Sequence, residues 1–277
     1  MRDSETFDIE IGLLLEGIYQ KYRSDFRDYT KSSIRRRLAL AIEHFGCSTA
    51  SELQARVLGE PEAYDQLLRF LTVPTSEMFR DPDYFRAIRE EIVPILMTYP
   101  SVKIWIAGCS TGEEVYSFAI LLKEEGLLQR TILYATDINP LSLRKAEAGI
   151  FALDQVALFT KNYQKAGGKA AFSDYYDVTL NAAVFDPALR ENIVFADHSL
   201  ATDSVFAEVQ LVSCRNVLIY FNRELQTRVF RLFYDALSLR GFLGLGAKET
   251  IRFSPMASGF DTFSERARIY RKKGAAA

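Results

Sequence analysis

The stretch Lys103-Ile-Trp-Ile-Ala-Gly-Cys-Ser-Thr-Gly-Glu-Glu-Val-Tyr-Ser-Phe-Ala-Ile-Leu-Leu-Lys123 does most to limit what this chain can become. An apolar run from Ile104 to Ala107 gives way to a turn of small residues holding Gly108 and Gly112. An apolar pattern of helical period follows at Val115, Phe118, Ala119 and Leu122. Strand, tight loop and helix in that order place the loop at the carboxyl end of a strand in an open α/β sheet. There, backbone N–H groups and a helix N-terminus face a crevice suited to nucleotide-like ligands. A plain βα turn with nothing bound needs the same two glycines, so the loop alone leaves both readings open.

The chain after this stretch keeps the alternation. Strands are expected at Ile132 to Thr136, Ile193 to Ala196 and Val209 to Ser213. Helices are expected at Leu141 to Ala148 and at Glu224 to Ser238, the second stopping at Gly241. A strand from Phe242 to Ala247 and two more around Phe260 to Phe263 and Ala267 to Arg271 complete the pattern. Alternation of this kind predicts an α/β fold with a mainly parallel, doubly wound sheet. Residues 151–190 interrupt it, and the Gly167-Gly168 turn with the alternation in Phe172 to Leu180 predicts a small inserted β-subdomain or flap.

Upstream, residues 1–75 read as an all-helical N-terminal domain. Ile11, Leu14, Leu15 and Ile18 form one apolar stripe. Ile34, Leu38, Ile42 and Phe45 form another, in a helix that Ser32 or Ser33 can cap and Gly46 can stop. Shorter helices are expected near 49–58 and 61–71. Residues 76–100 read as a linker and a helix in which Asp81 is the N-cap, Pro82 the first helical residue and Met97 the approximate end. The α/β domain occupies 101–277. Between residues 20 and 40 the cations Lys21, Arg23, Arg27, Lys31, Arg35, Arg36 and Arg37 outnumber Asp25 and Asp28, and the Arg35 to Arg37 run is expected opposite the apolar stripe. Such a run is either a solvated helix face or a docking surface for an acidic partner.

Composition removes several function classes. With 277 residues, 48% of them apolar and 25% charged, the chain has the make-up of an ordinary globular protein. It carries no apolar run near the length of a membrane span, and its first residues are too polar to open a signal peptide. A cytoplasmic protein without membrane insertion is expected. Cys47, Cys109 and Cys214 are widely spaced and odd in number, and His44 and His198 are the only histidines, so neither a disulfide framework nor a metal site is expected. A net charge of −2 argues against nucleic acid as a partner.

The chemistry gathers at strand ends. Ala135-Thr-Asp-Ile-Asn139 puts Asp137 at the end of the strand beside the glycine loop, where a carboxylate can accept both hydroxyls of a ribose. An Asp ahead of Asn-Pro is equally a good turn residue. Asp197-His-Ser-Leu200 and Ser213-Cys-Arg-Asn-Val217 end two further strands on the same edge. A dinucleotide site would call for Gly-x-Gly-x-x-Gly, whereas here the loop runs into Glu113 and Glu114. Two carboxylates repel a pyrophosphate but suit a ligand bearing ammonium or sulfonium charge, such as S-adenosylmethionine. On that reading Asp137 meets the ribose, Glu113 lies near the ammonium, and Arg80 is available to a carboxylate.

Four blocks carry a family resemblance: Thr72-Val-Pro-Thr-Ser-Glu-Met-Phe-Arg80; Cys109-Ser-Thr-Gly-Glu-Glu-Val-Tyr-Ser117; Ala135-Thr-Asp-Ile138 with Ala148-Gly-Ile150; and Ser213-Cys-Arg-Asn-Val-Leu-Ile-Tyr-Phe221. In this order they resemble the signature blocks of the chemotaxis receptor methyltransferases, the CheR family, and Ser33-Ile-Arg-Arg-Arg-Leu38 is similar to part of that family's N-terminal domain. The resemblance implies a Rossmann-like class I S-adenosylmethionine methyltransferase fold. It also implies an enzyme that transfers the methyl group to glutamate γ-carboxylates on the cytoplasmic helical bundle of a chemoreceptor, leaving S-adenosylhomocysteine. Cofactor contacts are implied at Ser76, Arg80, Gly108, Glu113, Asp137, Ser199, Leu200, Asn216 and Val217. Pro74 and Ser199 depart from the family's usual asparagines: Pro74 loses a side-chain hydrogen bond and a backbone N–H, while Ser199 keeps a hydroxyl of shorter reach. The turn Tyr163-Gln-Lys-Ala-Gly-Gly-Lys169 lacks the arginine of members that tether a receptor's C-terminal pentapeptide, so no such tether is expected.

Because a glutamate of ordinary pKa, about 4.3, is ionised at neutral pH, the reaction implied needs no general base. It needs placement of a carboxylate oxygen in line with the methyl group. Arg80 and Tyr220 are the candidates for orienting the acceptor, with a core aromatic as the alternative for Tyr220. Arg23, Arg27, Lys31, Arg35, Arg36 and Arg37 are the candidates for receptor docking. Other readings are a methyltransferase acting on RNA or a small molecule, and a non-catalytic module that docks on receptors.

Overall fold

In the computed structural model, which describes residues 4–73 and 76–274, the chain begins with four helices: α1 (Ser4–Tyr22), α2 (Lys31–His44), α3 (Ala50–Gly59) and α4 (Pro61–Leu71). Leu14, Ile18, Phe26, Leu38, Ala41, Leu53, Val57 and Leu67 are fully enclosed in a core of their own. Gly46 takes φ +63 immediately after α2, the left-handed stop expected. The start of α2 differs from expectation. The helix begins at Lys31 behind Thr30, with no side-chain cap, because the Thr30 carbonyl accepts from the Ser33 and Ile34 N–H groups.

The connecting helix also differs in detail. α5 (Pro82–Ala87) passes through a widened π-helical stretch at Ile88–Ile92 into α6 (Val93–Leu96). Pro94 lies just beyond that stretch and offers no N–H to the helix ladder. Pro82 is the first helical residue and Asp81 the N-cap residue as expected, but Asp81 makes no capping hydrogen bond with its side chain. It sits at φ 55 with its carboxylate turned to Arg215. Pro74 falls outside the described residues.

The α/β part then runs β1 (Val102–Ala107), α7 (Glu113–Glu124), β2 (Thr131–Asp137), α8 (Pro140–Ala148), β3 (Ile150–Ala152), α9 (Val156–Lys165), β4 (Tyr176–Thr179), β5 (Ala182–Phe185) and β6 (Ile193–Asp197). It continues through β7 (Val209–Cys214), α10 (Arg223–Ala236), β8 (Leu237–Leu245), β9 (Phe260–Ser264) and β10 (Ile269–Lys272). The main sheet has the order β6-β2-β1-β7-β8-β10-β9, parallel through β8, with β10 antiparallel to both its neighbours. This is the mainly parallel, doubly wound arrangement that the sequence resemblance implies, and β3, β5 and β4 form the small antiparallel sheet of the insertion. β1 is central, with Ile104 and Ile106 packed into one apolar layer and Trp105 and Ala107 into the other, which is why its sequence is a continuous apolar run.

The helix and strand near residue 240 divide elsewhere than the glycine suggests. α10 ends at Ala236 and β8 starts at Leu237, so Gly241 lies inside the strand. Arg240 beside it has φ 62, and the β7–β8 register shifts between Val209 and Leu211. A methyl group on Gly241 would stand 3.0 Å from the Ser238 carbonyl and 3.1 Å from that of Gln210. The glycine serves a bulge in the sheet.

Candidate functional site

Strand order reverses across β1, since β2 lies on one side and β7 on the other, and the crevice opens at the carboxyl ends of these strands. A cavity of about 390 Å³ occupies it. Its walls come from the loop after β1, from the ends of β2, β6 and β7, from Leu71, Thr72, Val73, Ser76, Glu77 and Arg80, from α9, and from Tyr29 of the helical bundle. Ser76, Arg80, Gly108, Asp137, Ser199, Leu200, Asn216, Val217 and Tyr220 all line it. The sequence candidates from four strand ends and the linker therefore meet in one place.

Each side of the glycine loop is fixed by backbone chemistry. The Gly108 and Cys109 N–H groups both donate to the Thr136 carbonyl, at 2.8 and 2.9 Å, which ties the loop to β2. Gly108 has φ +74, and a methyl group there would come within 2.5 Å of Val217 Cγ2. Gly112 has φ +96 and abuts Ala146, where a methyl group would meet Cβ at 2.8 Å. Both glycines are thus required by close approach. Asp137 closes the loop: its Oδ2 accepts from the Ser110 N–H at 2.8 Å and its Oδ1 from the Asn139 N–H at 2.9 Å. Burial pushes its pKa up and the nearby Asp197 charge adds to this, while the backbone donors act the other way.

Glu113 is the exception among the candidate cofactor contacts. It does not line the cavity. Only 5% of it is exposed, and its carboxylate accepts from the Thr111 hydroxyl at 2.8 Å, with the Ser76 side chain also acting to lower its pKa. Burial holds its pKa above the ordinary carboxylate value, against the pull of those donors. The structure places Glu113 behind the loop, off the cavity wall where the sequence reading expected it beside a ligand's cationic end. Glu77, Asp137 and Glu114 do line the cavity, and Glu114 is already engaged by Ser213 at 2.6 Å and Arg215 at 3.0 Å.

Arg80 is presented by a constrained turn. Phe79 and Asp81 on either side have φ 52 and φ 55, unusual for non-glycine residues. The Phe79 N–H donates to Ser117 Oγ at 2.8 Å, and Arg215 Nη2 donates to the Arg80 carbonyl at 2.7 Å. The Arg80 guanidinium itself has no hydrogen bond or ion pair among the described residues, so its charge is available to the cavity. On the opposite wall Asn216 has φ 62, and its N–H donates to the buried carboxylate of Glu249 at 2.9 Å. Glu249 also accepts from the Ile219 N–H at 3.3 Å and the Gly246 N–H at 2.7 Å. The Ser199 and Ser110 hydroxyls and His198 Nδ1 are buried and have no partner among the described residues. Buried polar atoms left open at a cavity wall suit a polar ligand.

The basic segment divides. Arg27 is committed to Asp25 at 2.8 Å and Glu16 at 2.9 Å, and Arg35 to Asp8 at 2.6 Å. Arg37 is only 4% exposed and packs inward, its guanidinium 4.2 Å from the Tyr220 ring centre. The expectation that all three arginines of the run face away from the apolar stripe is therefore corrected for Arg37, because the α/β domain covers that flank of α2. Arg23, Lys31 and Arg36 remain on the surface. Sequence reasoning missed Tyr29, Arg215 and Glu249. Arg215 lay inside a recognised block, but nothing local marks Tyr29 or Glu249, whose contacts cross between distant segments.

Comparison with known proteins gives two consecutive family matches. Residues 9–72 match the CheR methyltransferase all-alpha domain, and residues 74–265 match the CheR methyltransferase SAM binding domain. A protein of Pseudomonas putida named Cher3 is 56% identical over 272 residues, covering 98% of this chain and 100% of its own. The chemotaxis protein methyltransferase of Listeria innocua is 27% identical over 245 residues, covering 87% of this chain and 89% of its own. Among solved structures, the N-methyltransferase NodS of Bradyrhizobium japonicum, in complex with S-adenosylhomocysteine, aligns over 61% of this chain and 62% of its own, with 13% identity and a TM-score of 0.35.

Proposed function

This chain belongs to the CheR methyltransferase family, and from that premise we propose that it methylates glutamate γ-carboxylates on the cytoplasmic helices of a chemoreceptor, acting in the cytoplasm with S-adenosylmethionine as methyl donor. The observation that carries the proposal is the meeting of Asp137, the Gly108 loop and the unpaired Arg80 guanidinium in one cavity at the strand ends.

The residues present fit the donor molecule. Asp137, held by two backbone donors, keeps lone pairs for ribose hydroxyls. Gly108 lets Val217 close against the loop, and the open Ser199 hydroxyl, Leu200 and the Asn216 side chain are suited to the base. Arg80 would hold the amino-acid carboxylate or the incoming glutamate, and Glu113 acts through Ser76 and Thr111. When bound, S-adenosylmethionine supplies a methyl carbon on a sulfonium: a carboxylate oxygen forms a bond to that carbon, the C–S bond breaks, and its electron pair stays on sulfur in S-adenosylhomocysteine. The acceptor is already ionised at neutral pH, so this chain supplies no base. Arg80 and Tyr220 set the oxygen in line and exclude water.

Docking of an acidic receptor helix falls to the exposed Arg23, Lys31 and Arg36. The turn after α9 supports the absence of a pentapeptide tether. The Lys169 N–H donates to Glu124 at 2.9 Å, Lys169 Nζ pairs Glu125 at 2.7 Å, and the Tyr163 hydroxyl also bonds Glu124. The Tyr163 hydroxyl and both nitrogens of Lys169 are thereby engaged within the chain, while Gln164 and Lys165 stay exposed.

The test is calorimetry with S-adenosylmethionine followed by transfer of labelled methyl to a soluble receptor cytoplasmic fragment. Binding with base-labile label on the fragment is the expected result. Binding with label only on other acceptors would point to a different substrate, and no binding would favour a non-catalytic docking module.

A further inference from the structure

Arg37 is an expensive residue for its position. Its side chain is 4% exposed, and it has no carboxylate partner among the described residues. Nη1 donates to the Leu71 carbonyl, whereas Nε and Nη2 have no acceptor among the described residues. Burial lowers its pKa, with the Tyr220 and Tyr29 hydroxyls acting in the opposite direction. A methionine would fill the space without leaving buried donors unsatisfied, each of which costs about 1–3 kcal/mol. Packing alone gives no reason for a guanidinium here.

What the guanidinium touches supplies a reason. It lies 4.2 Å from the centre of the Tyr220 ring, and Tyr220, Leu71 and Tyr29 all line the cavity. The same corner is stitched across the two domains by backbone. The Thr30 N–H donates to the Tyr220 carbonyl at 2.8 Å, the Asn222 N–H to the Asp28 carbonyl at 2.8 Å, and Tyr29 forms a bridge with Phe221. The Tyr29 and Phe221 rings meet edge to face at 5.0 Å. The acceptor side of the cavity is therefore built jointly by the α1–α2 loop and the segment after β7.

We propose that Arg37 is a positioning residue for methyl transfer: stacked behind Tyr220, it fixes the phenol on the acceptor side of the cavity and makes that wall depend on the seating of α2. This rests on the reading above that Tyr220 orients the acceptor. Arg37 is buried, whereas Arg36 beside it is exposed on the face proposed for docking.

The test uses the full chain with fluorotyrosine placed at position 220, in the parent, Arg37→Met and Arg37→Lys forms, with the thermal midpoint of each recorded. The fluorine resonance should move and broaden in Arg37→Met, with Arg37→Lys in between. With a soluble receptor cytoplasmic fragment as acceptor, Arg37→Met should lower kcat by about tenfold while leaving the KM for the fragment and the Kd for S-adenosylmethionine unchanged. In a Tyr220→Ala background it should cost nothing more. An unmoved resonance, a raised KM at constant kcat, or additive losses with Tyr220→Ala would overturn the proposal. If Tyr220→Ala leaves kcat intact while the resonance still follows Arg37, the acceptor role of Tyr220 fails and the positioning of its ring by Arg37 stands.

Discussion

Arg215 Nη2 donates to the backbone carbonyl of Arg80 at 2.7 Å, so one arginine with a buried side chain sets the place of the one whose charge faces the cavity. The same guanidinium pairs Asp81 at 2.7 Å and Glu114 at 3.0 Å, and lies 4.3 Å from the centre of the Tyr84 ring. Removing it leaves the mostly buried Glu114 with a hydroxyl as its remaining partner, at 2.6 Å from Ser213. Arg215→Met should cost about 3–5 kcal/mol of stability, the usual penalty for stranding one half of a buried ion pair, and Arg215→Lys should cost less. Urea unfolding measures both. Affinity for S-adenosylmethionine should fall in both variants because Arg80 loses its backbone anchor. Unchanged affinity in the folded Lys variant would mean that Arg80 holds its place without Arg215.

Glu113 offers a sharper division between two roles. As a support for Ser76 and Thr111 it needs only to accept hydrogen bonds, which Gln can do in part, whereas direct contact with an ammonium needs its charge. Glu113→Gln should therefore keep S-adenosylmethionine affinity within about threefold, while Glu113→Ala loses about tenfold or more, one hydrogen bond to a charged group being worth roughly 1.5–3 kcal/mol. Calorimetry on the two variants reads this directly. Equal losses in Gln and Ala would put the carboxylate back beside the ligand.

These details mark where sequence reading stopped. The sheet was legible because β1 and β7 are buried on both faces and show as apolar runs, and because Gly108, Asp137 and Asn216 sit at strand ends that any doubly wound sheet brings together. Arg37 was misplaced because helical period sees one stripe. It precedes Leu38 on the flank of that stripe, and only the second domain decides that the flank is covered. Gly241 misled because a helix stop and a sheet bulge both call for glycine, and the closeness of the Gln210 carbonyl that selects the bulge comes from β7. Glu249 carried no signal, since its three backbone donors come from Gly246 in its own turn and from a loop some thirty residues earlier.

Asp137 should make ligand binding pH-dependent. Its pKa in the fold is raised above 3.8 by burial, with the Asp197 charge adding to the effect, so the folded protein holds more protons than the unfolded chain just above that pH. Stability relative to Asp137→Asn therefore falls as pH rises through this window. Ribose hydroxyls donate to the ionised form, so binding expels the proton, and affinity should rise with pH from the ordinary aspartate range upward and level off once Asp137 is ionised in the free protein. Calorimetry in buffers of different ionisation enthalpy should show proton release at the low end and none at the plateau. Asp137→Asn should bind weakly with no such trend, and a flat profile in the parent protein would remove Asp137 from the ribose.

Of the six cations proposed for docking, Arg23, Lys31 and Arg36 are exposed and make no ion pair among the described residues. Arg27 is tied to Asp25 and Glu16, and its release would cost partner binding little beyond its own long-range charge. Lys31→Glu with Arg36→Glu should raise the KM for a receptor fragment by about tenfold at low ionic strength, and the effect should shrink as salt shortens the Debye length to roughly 8 Å and below. Arg27→Ala should change KM by less than about twofold, as expected of an exposed ion pair. Affinity for S-adenosylmethionine should stay constant in all of these, because none of the substituted residues lines the cavity. A KM that rises equally in Arg27→Ala would show that the whole positive field of the segment steers the receptor, and a parallel loss of cofactor affinity would show that the charge reversals had disturbed the bundle.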